Sequence, residues 1–224
     1  MSDFATEHGV TDEAICARLY ERHMAFIRVK KPHVAIPNLT RVLTVALDLA
    51  NGKGFHSMTM RDLSEASGLS MGALYNYIAD KDMLLRLILD GVADAVERVL
   101  APIGERGGDP RAQLHALIRD HVLLSEALLP WFFFSFMEAK SFNRTARDHA
   151  LSEELRTEAM LAAPIAAGME QGLFRPGDAT MIAALIKPLL QDWYVKRWKH
   201  RGRGVTPEAY ADTVIGFVDR AIGA

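Results

Sequence analysis

The sequence predicts an all-α protein in which a three-helix unit with a helix-turn-helix precedes a larger helical domain. Apolar residues recur at the three- and four-residue spacing of a buried helix face in one segment after another. Ser, Thr and Asp stand where these segments begin, and Gly or Pro where they end, as helix caps require. The chain has 224 residues, 50% hydrophobic and 24% charged, which is enough for a core in one large or two modest domains.

Charge, cysteine content and hydropathy narrow the class of protein. The formal net charge is −2, so any affinity for nucleic acid must come from a local basic surface. The single cysteine, Cys16, cannot form an internal disulfide bond, which favours a reducing cytosol. The sequence has no run of about 18 apolar residues and no signal-peptide core. We therefore expect a soluble, cytoplasmic protein.

Residues 1–37 are expected to form an extension with its own basic helix. Helical spacing predicts an amphipathic helix from Thr11 to about Lys30, and Pro32 and Pro37 should separate it from the next helix. Between Arg18 and Arg41 there is only one acid, Glu21, against six basic residues: Arg18, Arg22, Arg28, Lys30, Lys31 and Arg41. The local charge of +5 indicates either an arm that contacts DNA phosphates or the minor groove, or a solvated helix face packed on the domain.

Met58 to Leu84 has the pattern of two short helices joined by a tight turn and followed by a third. Thr59 is expected to cap the first helix, with Asp62 as the acidic partner of a capping box. Gly68 supplies the left-handed residue that ends this helix, and Asp80 is expected to cap the third one. This order is that of a helix-turn-helix.

The second of these helices, predicted from Met71 to about Tyr77, is the one that would enter the major groove of DNA. Ser70 is expected to cap it, and Gly72 leaves room for a close approach. Phenol, amide and ammonium groups suited to phosphate and base contacts follow on Tyr75, Asn76, Tyr77 and Lys81. An ordinary helical corner with polar residues facing solvent is the alternative explanation.

The segment from Leu39 to Leu85 resembles the DNA-binding domain of the TetR family of one-component transcriptional regulators. The matching features are an apolar helix ending in Gly-x-Gly-Phe at Gly52–Phe55, a Thr-x-x-x-Leu-Ser-Glu-Ala-Ser-Gly-Leu run from Thr59, and Gly-Ala-Leu-Tyr-Asn-Tyr from Gly72. Ile78 stands where the family usually has Phe and keeps the apolar role. The resemblance implies repression of a palindromic DNA operator, relieved by a small molecule, and a homodimer formed through the last two helices.

The resemblance also implies which residues contact DNA within a domain of residues 38–84. Tyr75, Tyr77 and Lys81 should hold phosphates, while Ser70, Met71, Gly72 and Asn76 should lie nearest the bases. The full predicted set of DNA-binding residues is Thr59, Arg61, Ser70, Met71, Gly72, Tyr75, Asn76, Tyr77 and Lys81.

Residues 85–224 are expected to form a helical effector-binding and dimerisation domain. Helices are predicted from about Arg111 to Leu129, from Thr145 to Glu170, from Ala179 to Lys199 and from Pro207 onwards. In the first of these, His121 and Ser125 interrupt an otherwise apolar stripe, as placed polar groups do in a ligand pocket. The alternative is a buried histidine satisfied by a neighbouring carbonyl.

An aromatic segment, Trp131 to Met137, is expected to form a helix surrounded on most sides, because it has more aromatic rings than one face can bury. Core packing explains most of these rings, and the wall of an effector cavity would explain the rest. The predicted ligand-binding residues are His121, Ser125, Trp131, Phe134, Met137, Met160 and Trp193. Because these stripes carry no charge, we expect a hydrophobic effector, such as an acyl-CoA or an aromatic compound.

A second basic run lies between Lys196 and Arg203, with five Lys and Arg residues and no acid. Cations stabilise the negative end of a helix dipole, which is one explanation of the run. A binding site for an anionic effector tail, such as the phosphates of a coenzyme A thioester, is the other.

Motifs of catalysis and metal binding are missing from the sequence. It contains no Gly-rich phosphate loop, Cys-x-x-Cys, His-Glu-x-x-His or Gly-x-Ser-x-Gly, and no two of its eight histidines are four residues apart. We therefore predict no catalytic residue, no metal site and no cofactor. An all-helical enzyme acting on a hydrophobic substrate is the second hypothesis, and a helical adaptor that binds only proteins is the third.

Overall fold

The computed structural model describes residues 2–223, and within that range the chain folds into twelve α-helices and no β-strand. The helices are α1 (Ser2–Glu7), α2 (Asp12–His23), α3 (Pro32–Lys53), α4 (Met60–Ser67), α5 (Met71–Leu74), α6 (Lys81–Glu105), α7 (Pro110–Ala127), α8 (Leu129–Met137), α9 (Arg144–Glu170), α10 (Ala179–Val195), α11 (Arg197–Gly202) and α12 (Pro207–Ile222). The predicted all-α fold class is confirmed. Across these residues, no helix is long and apolar enough to span a bilayer.

The helices form two compact units. Residues 5–95 and 128–150 make up the N-terminal unit, and residues 96–127 and 151–223, with the first few residues of the chain, make up the C-terminal unit. These limits differ from the predicted domains of residues 1–37, 38–84 and 85–224. The difference arises because α2 and α8, assigned to other domains from the sequence, bury their side chains among the helices that carry the helix-turn-helix.

Helix α2 belongs to the core of the N-terminal unit. Thr11 caps it by accepting a hydrogen bond from the Ala14 amide, and its inner face packs on α3. Ile15 and Leu19 on this face are essentially inaccessible to solvent. On the other side, Arg18 forms an ion pair with Asp94 of α6 at 2.6 Å. The predicted extra helix is thus present, though it ends at His23 rather than near Lys30.

The next helix, α3, begins at Pro32, six residues before the predicted start of the DNA-binding domain at residue 38. Pro32 occupies the first helical position, where its missing N–H would have no partner in any case. Pro37 lies inside the helix and costs one backbone hydrogen bond close to the helix start. The expectation that both prolines separate the extension from α3 was therefore wrong.

The aromatic helix α8 is the second unexpected member of the N-terminal unit. The indole N–H of Trp131 donates to the Asp12 carboxylate at 2.9 Å. Phe134 contacts the edge of the Phe55 ring, with ring centroids 5.4 Å apart. Asn51, at the end of α3, donates to the carbonyl of Pro130 at 2.9 Å. The aromatic residues thus complete the core around α3.

In the C-terminal unit, α7 packs between α10 and α12. Two polar contacts join α12 to α7: the His115 imidazole is hydrogen-bonded to Asp219 at 2.9 Å, and Arg119 forms an ion pair with Asp212 at 2.8 Å. The helix predicted from Ala179 to Lys199 is divided in two, because α10 ends at Val195 and the short α11 begins at Arg197.

Candidate nucleic-acid interface

The turn between α4 and α5 has the geometry that its residues predict. Thr59 and Asp62 form a complete capping box, in which the Thr59 hydroxyl accepts from the Asp62 amide at 3.1 Å and the Asp62 carboxylate accepts from the Thr59 amide at 2.8 Å. Gly68 ends α4 with a φ of 68°, a left-handed conformation that suits glycine. Ser70 caps α5 by accepting from the Ala73 amide. Local sequence chemistry is therefore sufficient to build this helix-turn-helix.

Seven of the nine predicted DNA-binding residues lie on accessible surface around α4 and α5. Their accessibility ranges from exposed to half-buried, and they are Thr59, Arg61, Ser70, Met71, Gly72, Tyr75 and Asn76. Arg61 forms no ion pair with any described carboxylate, so its guanidinium is available to a phosphate. Tyr75 is 41% exposed, so its phenol group is accessible from solvent. Helix α5 is shorter than predicted and ends at Leu74.

Tyr77 and Lys81, the other two predicted phosphate contacts, have partners inside the protein. Tyr77 is only 5% exposed, and its hydroxyl accepts a hydrogen bond from the Asn38 amide group at 3.1 Å. The ammonium of Lys81 donates to the carbonyls of Phe55, His56 and Met58 at 2.6, 3.0 and 2.7 Å. All three N–H donors are therefore occupied. Both side chains therefore have partners within the protein, which favours a supporting role, and their contact with phosphates stays a prediction.

Asp62 carries a further contact that links α3 to α4. The ammonium of Lys53 lies 2.6 Å from its carboxylate. Hydrogen bonds from Lys53 and Thr59 lower the pKa of Asp62 to about 2. The capping carboxylate is therefore ionised throughout the neutral range, as the positive end of a helix requires.

The seven predicted ligand-binding residues divide between the two units. Trp131, Phe134 and Met137 belong to the N-terminal unit, where Trp131 and Phe134 fill the core and Met137 is 42% exposed. His121, Ser125, Met160 and Trp193 belong to the C-terminal unit. The aromatic segment thus contributes to the core of the N-terminal unit, and the cavity lined by all seven residues stays a prediction.

A buried charge that the sequence analysis missed lies in the C-terminal unit. Lys187, on the inner face of α10, is only 5% exposed, and its ammonium lies 3.5 Å from the carboxylate of Glu154 on α9. Gln191 donates to the other oxygen of Glu154 at 2.7 Å. Lys187 could have been found from its spacing, since it follows Ala183 by four residues and precedes Leu190 by three. The expectation of a hydrophobic effector rested on the uncharged stripes of α7, α8 and α9 and left this lysine of α10 out of account.

The predicted polar groups of α7 lie in the same unit as this lysine. His121 is 1% exposed, and burial followed by the nearby charge of Lys187 lowers its pKa well below the usual value. Its imidazole is therefore neutral at pH 7. The Ser125 hydroxyl is fully buried and donates to the carbonyl of Val122 at 3.0 Å. Burial also lowers the pKa of Lys187 itself, and Glu154 opposes this shift.

Three of the five Lys and Arg residues between Lys196 and Arg203 pair with carboxylates inside the C-terminal unit. Lys196, Lys199 and His200 all contact the carboxylate of Asp192, and their hydrogen bonds lower its pKa although burial acts in the opposite direction. Arg197 forms two hydrogen bonds with Glu126, at 2.7 and 2.9 Å. These contacts favour a structural role for the run over a site for an anionic tail.

Among residues 2–223, no three His, Cys, Asp or Glu side chains come together as metal ligands would. The polar residues described above are instead paired with one another across helices or directed at the surface of α4 and α5. An exposed helix N-terminus with Gly72 beside it, on a well-capped helix-turn-helix, is the arrangement of a major-groove reader.

Comparison with protein families agrees with this geometry. Residues 42–88 match the model of "Bacterial regulatory proteins, tetR family", and residues 107–222 match "Tetracyclin repressor-like, C-terminal domain". The chain belongs to the TetR family. Within this family it is a ligand-responsive, DNA-binding transcriptional regulator and not an enzyme.

Individual TetR relatives match over most of their length. The HTH-type transcriptional repressor KstR2 of Rhodococcus jostii (strain RHA1) is 28% identical over 183 residues, which cover 80% of this chain and 88% of KstR2. The crystal structure of AibR in complex with isovaleryl coenzyme A and operator DNA is 25% identical, with a TM-score of 0.69, and covers 79% of this chain and 95% of AibR. The ketosteroid transcriptional regulator KstR2 of Mycobacterium tuberculosis has a TM-score of 0.74 at 19% identity, covering 88% and 98% of the two chains, and supports the fold.

Proposed function

We propose that this chain is a homodimeric repressor that binds a palindromic operator through α4 and α5 and leaves it when an acyl compound binds in the C-terminal unit. The observation that carries the proposal is the exposed, Ser70-capped α5 in a chain similar to AibR, whose structure contains both isovaleryl coenzyme A and operator DNA. Operator DNA is a cytoplasmic partner in bacteria, so we place the repressor in the cytoplasm.

For DNA, we propose contacts from the seven accessible residues of the predicted set. Ser70, Met71, Gly72 and Asn76 lie at or near α5 and would face base edges. Thr59, Arg61 and Tyr75 would hold phosphates, Arg61 through its free guanidinium. Tyr77 and Lys81 would act indirectly, by holding α3 and the loop before α4 in place.

For the effector, we propose an acyl chain whose carbonyl or carboxylate end meets the polar residues of the C-terminal unit. Met160 and Trp193 supply apolar surface there, His121 and Lys187 supply donors, and the Ser125 oxygen can accept a hydrogen bond. A buried ammonium with one carboxylate at 3.5 Å retains the capacity to hydrogen-bond a second oxygen. A thioester and a free acid share this chemistry.

For the dimer, we propose an interface on α10 and α12, the two long helices at the end of the chain. Met181 and Leu185, one turn apart on α10, are 57% and 66% exposed, and Phe217 on α12 is 56% exposed. Large apolar side chains at this exposure are typical of a surface that a partner covers. Replacing Leu185 and Phe217 by Glu should convert the dimer to a monomer in analytical ultracentrifugation.

In this mechanism, two α5 helices occupy successive major grooves about 34–36 Å apart in the dimer. An effector that binds better to a dimer with a different separation shifts the population away from DNA. The effector needs no contact with DNA, because the difference in its affinity for the two states supplies the free energy.

Binding measurements test the proposal. The protein is expected to shift a DNA fragment that flanks its own gene in an electrophoretic assay, and acyl-CoA thioesters or free acyl acids should release it while neutral aromatic compounds should not. Lys187→Met should keep DNA binding and weaken the response to the acyl compound. Release by neutral aromatics alone, or an unchanged response of the variant, would overturn the assignment of the effector. Mass spectrometry of the ligand that co-purifies gives an independent answer.

A further inference from the structure

We propose that residues 28–31, which we call the basic loop, form a second DNA-contacting element that binds phosphates beside the groove entered by α5. The loop lies between α2 and α3, outside the helix-turn-helix itself. The proposal rests on DNA binding by the helix-turn-helix and adds a contact that the motif does not contain.

A backbone hydrogen bond places the basic loop next to the recognition helix. The Arg28 amide donates to the carbonyl of Asn76 at 2.9 Å, and Asn76 follows the end of α5 by two residues. Because α5 has only four residues, a segment attached at Asn76 lies within about one helical turn of the residues that face the bases. The loop is therefore continuous with the proposed DNA surface.

Further contacts hold the basic loop in one conformation. Ile27, just before it, is fully buried. The ammonium of Lys30 donates to the carbonyl of Ile27 at 2.7 Å and also to that of Met24. The bond from Asn38 to Tyr77 ties the start of α3 to the residue after Asn76. A loop fixed in this way loses little conformational entropy when it binds DNA.

The structure separates the basic residues of this region into two groups. Arg18 and Arg22 on α2 both pair with Asp94, so their charges are compensated. In the part of the chain that the structure describes, the remaining four form no ion pair with a carboxylate, and these are Arg28, Lys30, Lys31 and Arg41. The sequence between Arg22 and Asp48 contains no acid that could compensate them. The two explanations of the +5 charge thus apply to different residues.

DNA phosphates are the partner that this surface fits. Arg28 and Lys31 are exposed, and a guanidinium or ammonium on a loop beside a recognition helix meets the backbone rather than the base edges. Each phosphate that a cation neutralises releases condensed counterions, so the contact appears in the salt dependence of binding. It should strengthen binding to all sequences alike.

The test replaces Arg28 and Lys31 by Ala and spares Lys30, which holds the loop. Affinity is measured by fluorescence anisotropy between 50 and 200 mM salt, on a duplex selected by the wild-type protein from a random pool and on an unrelated duplex. The plot of log K against log[salt] is expected to lose about 1.8 units of slope per protomer, roughly 0.9 for each phosphate contact, and about twice that for the bound dimer. The loss of affinity should be the same on both duplexes.

Two matched variants make the outcome decisive. Arg106→Ala with Arg203→Ala removes two exposed arginines from the C-terminal unit and should leave the slope unchanged. Arg61→Ala reports on the helix-turn-helix itself. If it weakens binding while the loop variant keeps the wild-type slope, the basic loop is not a DNA contact. If Arg61→Ala also has no effect, the proposed DNA surface around α4 and α5 fails as well. Unchanged circular dichroism spectra confirm that each variant is folded.

Discussion

Lys187 on α10 and Glu154 on α9 form an ion pair in which the two partners differ sharply in exposure. The ammonium is buried, with 6% of the side chain accessible, whereas the carboxylate side chain is 37% accessible, and 3.5 Å separates the charged atoms. Removing Glu154 and removing Lys187 should therefore have different effects on stability. Loss of the carboxylate leaves a buried charge without compensation, while loss of the lysine leaves a carboxylate that water and Gln191 satisfy.

We predict that Glu154→Gln destabilises the protein more than Lys187→Met. Glu154→Gln should cost about 1–2 kcal/mol, less than for a fully buried pair because solvent screens the half-exposed carboxylate. Lys187→Met should lie within about 1 kcal/mol of the wild type. Urea unfolding at a fixed protein concentration measures both. Glu97→Gln, which breaks an exposed pair with Arg156, is the control and should cost less than about 1 kcal/mol. A larger loss for Lys187→Met than for Glu154→Gln would contradict the prediction.

A second prediction concerns Gly91, which allows α6 to approach Trp131 of α8. A Cβ atom at Gly91 would lie 2.6 Å from Cζ3 of Trp131 and 3.2 Å from the Ile15 side chain. Gly91→Ala should therefore destabilise the N-terminal unit by about 1–3 kcal/mol, as overpacking of a core does. Gly104→Ala, on the same helix with open space around it, should be neutral or slightly stabilising. Thermal unfolding of the two variants tests the prediction, and equal unfolding midpoints would rule out the steric argument.

A third prediction separates support of the DNA surface from contact with DNA. Lys81→Met removes three hydrogen bonds to the loop before α4 and should lower stability by about 1–3 kcal/mol, with weaker DNA binding but an unchanged salt slope. Arg61→Ala should leave stability unchanged and reduce the slope by about 0.9 per protomer. A reduced slope for Lys81→Met at full stability would instead restore Lys81 as a phosphate contact.

A fourth prediction follows from the lowered pKa of His121. The folded protein binds this proton less readily than the unfolded chain, so its contribution to stability is complete above the unfolded pKa of about 6.5 and declines as the pH falls below it. The slope should approach about 1.4 kcal/mol per pH unit between pH 6 and 5. In unfolding measurements across this range, His121→Gln should reduce the decline, and Lys187→Met should reduce it partly. His115→Gln is the control, and an identical decline in wild type and His121→Gln would disprove this origin.

A fifth prediction concerns removal of the N-terminal extension. Deleting residues 1–27 takes away α2, including Ile15 and Leu19, and each buried side chain of this size contributes about 1.5–3 kcal/mol. We expect the N-terminal unit to lose cooperative unfolding and DNA binding together. Deleting residues 1–7 removes α1 only and should have a much smaller effect. If the protein without residues 1–27 unfolds like the wild type, α2 is an arm that the core does not need.

Much of the nucleic-acid interface could be predicted from the sequence, because its determinants are local. The capping box of Thr59 and Asp62, the left-handed Gly68 and the cap at Ser70 act within a single helical turn. The all-α class could be predicted for the same reason, because the three- and four-residue spacing of apolar residues is also a local pattern. The candidate effector residues were predicted less well, since an apolar stripe indicates that a face is buried but not against which helix.

The sequence by itself therefore determined the fold class, the helix-turn-helix and the family of this protein. The tertiary structure alone decided that Trp131 joins the core beside Asp12, 119 residues away, that Lys187 is buried, and that Tyr77 and Lys81 have hydrogen-bond partners within the protein. The physical reason is that caps and turns are satisfied by neighbours in the chain. Burial and ion pairing depend on groups brought together only when the helices pack.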